Sequence, residues 1–106
     1  MTDTWVERYK TDVLPKLAGT LRPSRVILCG SRARGDARPD SDLDVIIVSE
    51  TFAGMPFVRR MAYVLGLARF PKHVDYLCYT RDEFARIRET SSVVQSALAE
   101  CAELAT

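Results

Sequence analysis

Two ends of one stretch, Gly30-Ser31-Arg32-Ala33-Arg34-Gly35-Asp36-Ala37-Arg38-Pro39-Asp40-Ser41-Asp42-Leu43-Asp44, carry different chemistry. Asp42 and Asp44 stand two residues apart where an apolar run begins. In an extended segment both carboxylates leave the same face, about 6–7 Å apart at the backbone. Carboxylates held that close repel, and one takes up a proton unless a cation sits between them. Hard oxygen donors in this arrangement favour magnesium or manganese, which keep waters and accept substrate phosphates as remaining ligands. Asp75 enters the same argument as the only acid in a third run, Val74 to Tyr79, that is otherwise uncharged. An ionised side chain there is costly unless paired or metal-bound. The bland alternative is a strand-end acid that reaches solvent or pairs with Lys72 or an arginine.

At the other end, Gly30 and Ser31 sit where the first apolar run stops and a turn or short helix begins. That position exposes backbone N–H groups and favours a bound phosphate. Gly30 lets the backbone approach closely, and the Ser31 hydroxyl adds a donor. A Gly-Ser pair after a strand is by itself usually a turn, so its meaning depends on the aspartates downstream. Arg32, Arg34 and Arg38 could neutralise triphosphate charge by bidentate contact, or pair with Asp36 and Asp40 in a solvated loop, where such pairs contribute little. Arg34 reads as a structural or phosphate-side group, the other two as loop charges, and Ser41 as the residue that orients the turn before Asp42. His73, two residues before Asp75, reads as an ordinary strand-entrance histidine in preference to a proton relay or metal ligand.

These residues need a sheet to bring them together. Arg25 to Cys29 (RVILC) and Leu43 to Val48 (LDVIIV) read as strands, the second apolar on both alternating faces after Asp44, as a central strand covered on both sides does. Val74 to Tyr79 (VDYLCY) reads as a third. Between the last two, positions 52 to 70 show helical apolar spacing over roughly 16 residues, entered near Pro56. A strand, helix and strand in succession form a crossover, which makes the second and third strands parallel. Ahead of the sheet, Trp5, Val6, Tyr9, Val13, Leu14 and Leu17 recur at helical spacing with Thr2, Asp3 or Thr4 as cap, and Pro15 kinks or restarts the helix. Thr80-Arg-Asp-Glu83 has the form of a capping box that starts a helix carrying Phe84 and Ile87 inward, and Ser91 or Ser92 caps another with Val94, Leu98, Cys101 and Leu104 on one side. Trp5 and Tyr9 read as core anchors, and Arg59 and Arg60 as the wet face of a helix. The C-terminal Glu100-Cys-Ala-Glu-Leu-Ala-Thr106 does not read as a strand.

Composition sets the outer bounds. A length of 106 residues is that of one modest domain, spanning 1–106. The 47% apolar and 27% charged fractions are those of a chain with a packed core. A formal charge of +1 supplies no overall field to hold nucleic acid or an anionic membrane, although five arginines and four aspartates crowd into positions 22 to 44. Cys29, Cys78 and Cys101 are odd in number and widely spaced, so they read as reduced thiols, with Cys29 and Cys78 as inert core residues. With no signal-peptide pattern and no membrane-length apolar run, the expected location is the cytoplasm, with no membrane partner.

The pattern resembles the minimal nucleotidyltransferases of the DNA polymerase β superfamily, whose signature is Gly-Ser, ten residues, then Asp-x-Asp. Here Gly30-Ser31 is followed by the ten residues Arg32 to Ser41 and by Asp42-Leu43-Asp44, with the often-seen Arg-Gly at Arg34-Gly35. The resemblance implies a small α/β nucleotidyltransferase fold, a mixed sheet of three or four strands packed with helices. It also implies that Gly30, Ser31 and Arg34 bind the nucleotide, with Gly30 and Ser31 at the β- and γ-phosphates. Asp42 and Asp44 would hold two Mg²⁺ ions, and Asp75 would hold the catalytic ion and help deprotonate the acceptor hydroxyl. Many relatives of this length resemble antitoxins encoded beside a HEPN-domain ribonuclease, and some transfer AMP from ATP to a tyrosine of that toxin. The expected function is therefore an Mg-dependent nucleotidyltransferase acting on a HEPN-type partner. The alternative is an antitoxin that masks its partner stoichiometrically, with a vestigial or regulatory nucleotide site. Transfer to tRNA or to an antibiotic, and self-association, stay open, and no base-reading motif is present.

Overall fold

A computed structural model describes residues 3–105. The helices are α1 (Thr4–Asp12), α2 (Leu14–Leu21), α3 (Ser31–Arg34), α4 (Phe57–Leu67), α5 (Arg81–Thr90) and α6 (Ser92–Leu98). The strands are β1 (Arg25–Cys29), β2 (Leu43–Val48), β3 (Val74–Tyr79) and β4 (Ala102–Ala105), and a 3₁₀ turn occupies Glu50–Phe52. They form one mixed sheet in the order β3-β2-β1-β4. β2 and β3 are parallel across the α4 crossover, while β1 runs antiparallel to both β2 and β4.

Side-chain alternation divides the sheet into two faces. Val26, Leu28, Leu43, Val45, Ile47, Val74, Tyr76 and Cys78 point into the larger core, where they meet Val6, Tyr9, Leu17, Leu21 and Val64 from α1, α2 and α4. The opposite face carries Ile27, Ile46 and Val48, covered by Phe84 of α5 with Leu98 of α6 packed alongside. Tyr9 is fully buried, and its hydroxyl lies 2.9 Å from that of Tyr76, so neither phenol is left unpaired inside. Asp3 caps α1 by accepting from the backbone N–H groups of Trp5 and Val6, worth about 1 kcal/mol. Of the other two candidate caps, Thr4 is the first residue of the helix and Thr2 lies outside the described residues. The chain restarts at Val13, with Pro15 in the first turn of α2 where its missing N–H costs nothing. Thr80 and Glu83 close the expected capping box on α5, and Ser91 caps α6.

Four expectations need correction. The crossover helix has 11 residues because Phe52 belongs to the 3₁₀ turn, and Gly54, at φ +79°, and Pro56 stop helical geometry from extending back from α4. The C-terminal segment is a strand despite its alanines: β1 offers an unpaired edge whose ladder hydrogen bonds outweigh weak intrinsic preference. Arg25 pairs with Glu103 across that edge. The same pairing carries Cys101 to Cys29, with Cα atoms 4.4 Å apart, and the two form a disulfide, leaving Cys78 as the free, buried thiol among the described residues. The reading of three reduced cysteines is thereby overturned. Finally, Arg60 is only 4% exposed. It donates to the Met55 and Cys78 carbonyls at 3.0 Å and bidentately to Glu83 at 2.6 and 3.1 Å, tying α4 to β3 and α5. Arg59 stays on the wet face as expected.

Candidate active site

The register of the sheet decides what meets what. Cys29 lies opposite Asp44 on β1 and β2, and Asp44 lies beside Asp75 on β2 and β3, so these three form one row across the sheet. One row earlier Leu43 pairs with Val74, and the Leu43 N–H donates to the His73 carbonyl at 3.1 Å, which sets Asp42 beside His73. Four side chains, at 42, 44, 73 and 75, therefore share one face at the open ends of β2 and β3. Ligand atoms of Asp42, His73 and Asp75 all lie within 4.8 Å of one another. His73 Nε2 is 2.9 Å from Asp75 Oδ1.

Asp44 is brought to this row but falls outside that tight group, because its carboxylate packs toward β1. A Cβ built on Gly30 would collide with Asp44 Oδ2, so only glycine leaves room there. Gly30 adopts φ +74° and ψ −158°, a region essentially closed to other residues. It turns the chain from β1 directly into α3, which places Ser31 at the first position of that helix, next in the chain to the glycine that packs against Asp44. The signature's two ends thus meet in space.

Partial burial raises the Asp44 carboxyl above the ordinary aspartate range, and the neighbouring charges of Asp75 and then Asp42 raise it further, with Arg34 and His73 opposing. His73 is also raised, first by its hydrogen bond to Asp75. An anionic cluster whose own members destabilise one another is what a divalent cation relieves, and the all-oxygen contribution of Asp42, Asp44 and Asp75 fits Mg²⁺ or Mn²⁺. Asp44 and Asp75 also border a cavity of about 370 Å³ whose walls are otherwise mostly apolar, including Ile46, Met61, Leu77 and Leu98.

Arg32 departs from its reading as a loop charge. Its guanidinium is buried, pairs with Asp3 at 2.9 Å, and donates to the carbonyls of Arg38, Pro39 and Ser41. One side chain thereby fastens the loop that delivers Asp42 to the cap of α1. The sequence signal that could have revealed this is weak: a single arginine inside a charged segment. Ser41 does orient the turn, its hydroxyl accepting from the Arg38 N–H at 3.0 Å. Arg34 is exposed, paired with Asp36 at 3.4 Å. Arg38 is exposed as expected. His73 sits at the entrance to β3 as expected, with its Nε2 against Asp75 Oδ1.

Residues 12–102 match the profile of the nucleotidyltransferase domain, most of the chain and all of the cluster just described. The chain belongs to that family. This nucleotidyltransferase domain is also similar to the crystal structure of a Sulfolobus solfataricus protein assigned as a nucleotidyltransferase, at 30% identity and a TM-score of 0.60, over 77% of this chain and 72% of that one. BolA1 from Arabidopsis thaliana aligns at 23% identity and a TM-score of 0.54, over 78% of this chain and 98% of that one, a likeness of fold alone. Among curated proteins nothing matches. No helix among the described residues is long and apolar enough to cross a membrane.

Proposed function

We propose that this nucleotidyltransferase uses divalent magnesium to move AMP from ATP, with release of pyrophosphate, onto a hydroxyl group, that of a tyrosine on a HEPN-type partner, and that it acts in this way as an antitoxin. The observation that carries the proposal is the convergence of Asp42, Asp44 and Asp75 on one sheet face beside Gly30 and Ser31. When bound, two magnesium ions stabilise the attacking and leaving oxygens of an in-line displacement at phosphorus. Asp42, Asp44 and Asp75 would hold them.

The chain's own groups divide the remaining work. Gly30 gives the triphosphate close access to backbone, and the Ser31 hydroxyl donates to it, on the β1 side of the carboxylates. An in-line displacement then requires the acceptor to arrive from the β3 side, where Asp75 is exposed and able to take the hydroxyl proton. Arg34, the nearest arginine to influence Asp44, offsets phosphate charge. The mostly apolar cavity beside Asp75 favours a hydroxyl borne by an aromatic or apolar body over one on a sugar.

Incubation with α-labelled ATP, magnesium and a candidate HEPN-type partner should label that partner, and Asp44→Asn should abolish the label. Persistent transfer in the variant would remove these residues from the mechanism. The masking alternative draws on the exposed apolar side chains Phe57, Val58 and Met61 on α4, a surface suited to stoichiometric docking. If Asp42→Asn and Asp44→Asn protect against the toxin as well as the unaltered chain does, masking is the function. If they bind but do not protect, catalysis is.

A further inference from the structure

We infer that His73 is a direct ligand of the ion held by Asp42 and Asp75, and that this nitrogen makes the site prefer manganese to magnesium. The inference rests on the nucleotidyltransferase reading above and adds a donor and a selectivity to it. The ladder places His73 beside Asp42 as it places Asp44 beside Asp75, so the imidazole leaves the sheet on the carboxylate face. A histidine that only orients a metal ligand stands behind it, its far nitrogen turned away from the ion. His73 is grouped with both carboxylates on the same sheet face. A ring nitrogen of His73 lies within 4.8 Å of a carboxylate oxygen of each aspartate, and Asp75 is its one side-chain hydrogen-bond partner among the described residues.

Donors sharing one octahedral ion at about 2.1 Å are spaced by about 3–4 Å. The 2.9 Å separation of His73 from Asp75 already falls at that spacing, and the 4.8 Å bound on the group needs only side-chain rotation at exposed positions. No backbone movement is required, because Asp42 is held by the Arg32-fastened loop and His73 by its carbonyl's bond to Leu43. Magnesium gives up water reluctantly and takes oxygen. Imidazole favours transition ions, and manganese accepts both donor types in the same octahedral geometry. One nitrogen among oxygens therefore tilts a site that three carboxylates alone would leave to magnesium.

Pulsed electron paramagnetic resonance of the purified chain with one equivalent of Mn²⁺ should show ¹⁴N coupling from a directly bound imidazole, absent in His73→Ala. Calorimetric titration should show His73→Ala weakening Mn²⁺ about tenfold or more while Mg²⁺ stays within about twofold. His73 is exposed, so the variant should keep its melting temperature. Absence of the coupling in the unaltered chain, or equal weakening of both ions, would overturn the inference and leave His73 as a positioning residue for Asp75. Those results would leave the nucleotidyltransferase reading intact. If the unaltered chain binds neither ion, alone or with ATP, both fall.

Discussion

Asp44 and Asp75 are adjacent residues on neighbouring parallel strands, although 30 positions separate them in the chain. Each owes its position to ladder hydrogen bonds made by apolar neighbours, so the core of the sheet holds two like charges side by side. Burial first, and the charge of Asp75 next, raise the Asp44 carboxyl.

Removing one of those charges should stabilise the metal-free protein. Because the Asp44 carboxyl is raised in the fold, its contribution to stability is present at pH below its unfolded value and is lost as pH rises through the folded one. At pH 7, Asp44→Asn should therefore melt a few degrees higher without metal, the scale of about 0.5 kcal/mol at a half-exposed site. It should also gain less than the unaltered chain from added Mg²⁺. Paired thermal melts with and without metal check this, and a lower metal-free melting temperature in the variant counts against it.

Gly30→Ala should damage both fold and site. The substitution forces a side chain into a backbone region that costs about 1–3 kcal/mol, and its Cβ would push the Asp44 carboxylate aside. Calorimetry should find ATP–magnesium affinity reduced by about tenfold or more. Unchanged affinity would mean that Asp44 takes no part in holding the nucleotide.

Arg32→Lys should fail to replace arginine. Lysine cannot span Asp3 and the carbonyls of Arg38, Pro39 and Ser41 at once, so partly buried acceptors lose partners. A loss of about 2 kcal/mol is expected. Metal affinity should fall with it because the loop carrying Asp42 loosens. A denaturant melt and a metal titration on the same variant read the two effects separately.

Acid should weaken the α4–α5 junction. Arg60 holds the Glu83 carboxyl down to about 2, helped by the Thr80 cap. The resulting stability is fully present above the unfolded value near 4.5 and is lost as pH falls toward about 2. Screening at the partly exposed carboxylate reduces it to about 1–2 kcal/mol. Glu83→Gln should flatten the stability–pH profile between pH 5 and about 2, and an unchanged slope would place the acid sensitivity elsewhere.

The Cys29–Cys101 bridge closes a loop with a sequence separation of 72. Opening it should cost about 2–4 kcal/mol, mostly by freeing the unfolded chain. Non-reducing peptide mapping should recover the linked pair, and Cys101→Ser should melt lower by about 8 °C or more. Identical melts of the oxidised protein and the variant would show that the bridge contributes nothing to stability.

Much of this was legible in residue order. β1, β2 and β3 were bounded to the residue by apolar runs that end at Gly30, begin after Asp42 and follow His73. The Thr80–Glu83 box is a local motif, and local motifs are readable because their partners lie within one turn. Gly30-Ser31 and Asp42-x-Asp44 likewise stated their chemistry through type and spacing.

What lay beyond reach depended on partners distant in the chain. β4 forms because β1 has a free edge, a fact absent from Ala102–Ala105 itself, and Cys101 meets Cys29 only once that edge is filled. Arg32 and Arg60 look like any solvated arginine until Asp3, the loop carbonyls and Glu83 surround them. His73 is unremarkable until strand pairing puts Asp42 at its side. Sequence alone determined the first three strands and the acids they carry, because short-range sterics and hydrophobic spacing act within a few residues. Tertiary structure decided which charges are buried, bridged or gathered, because electrostatic and covalent partners are chosen by distance through space.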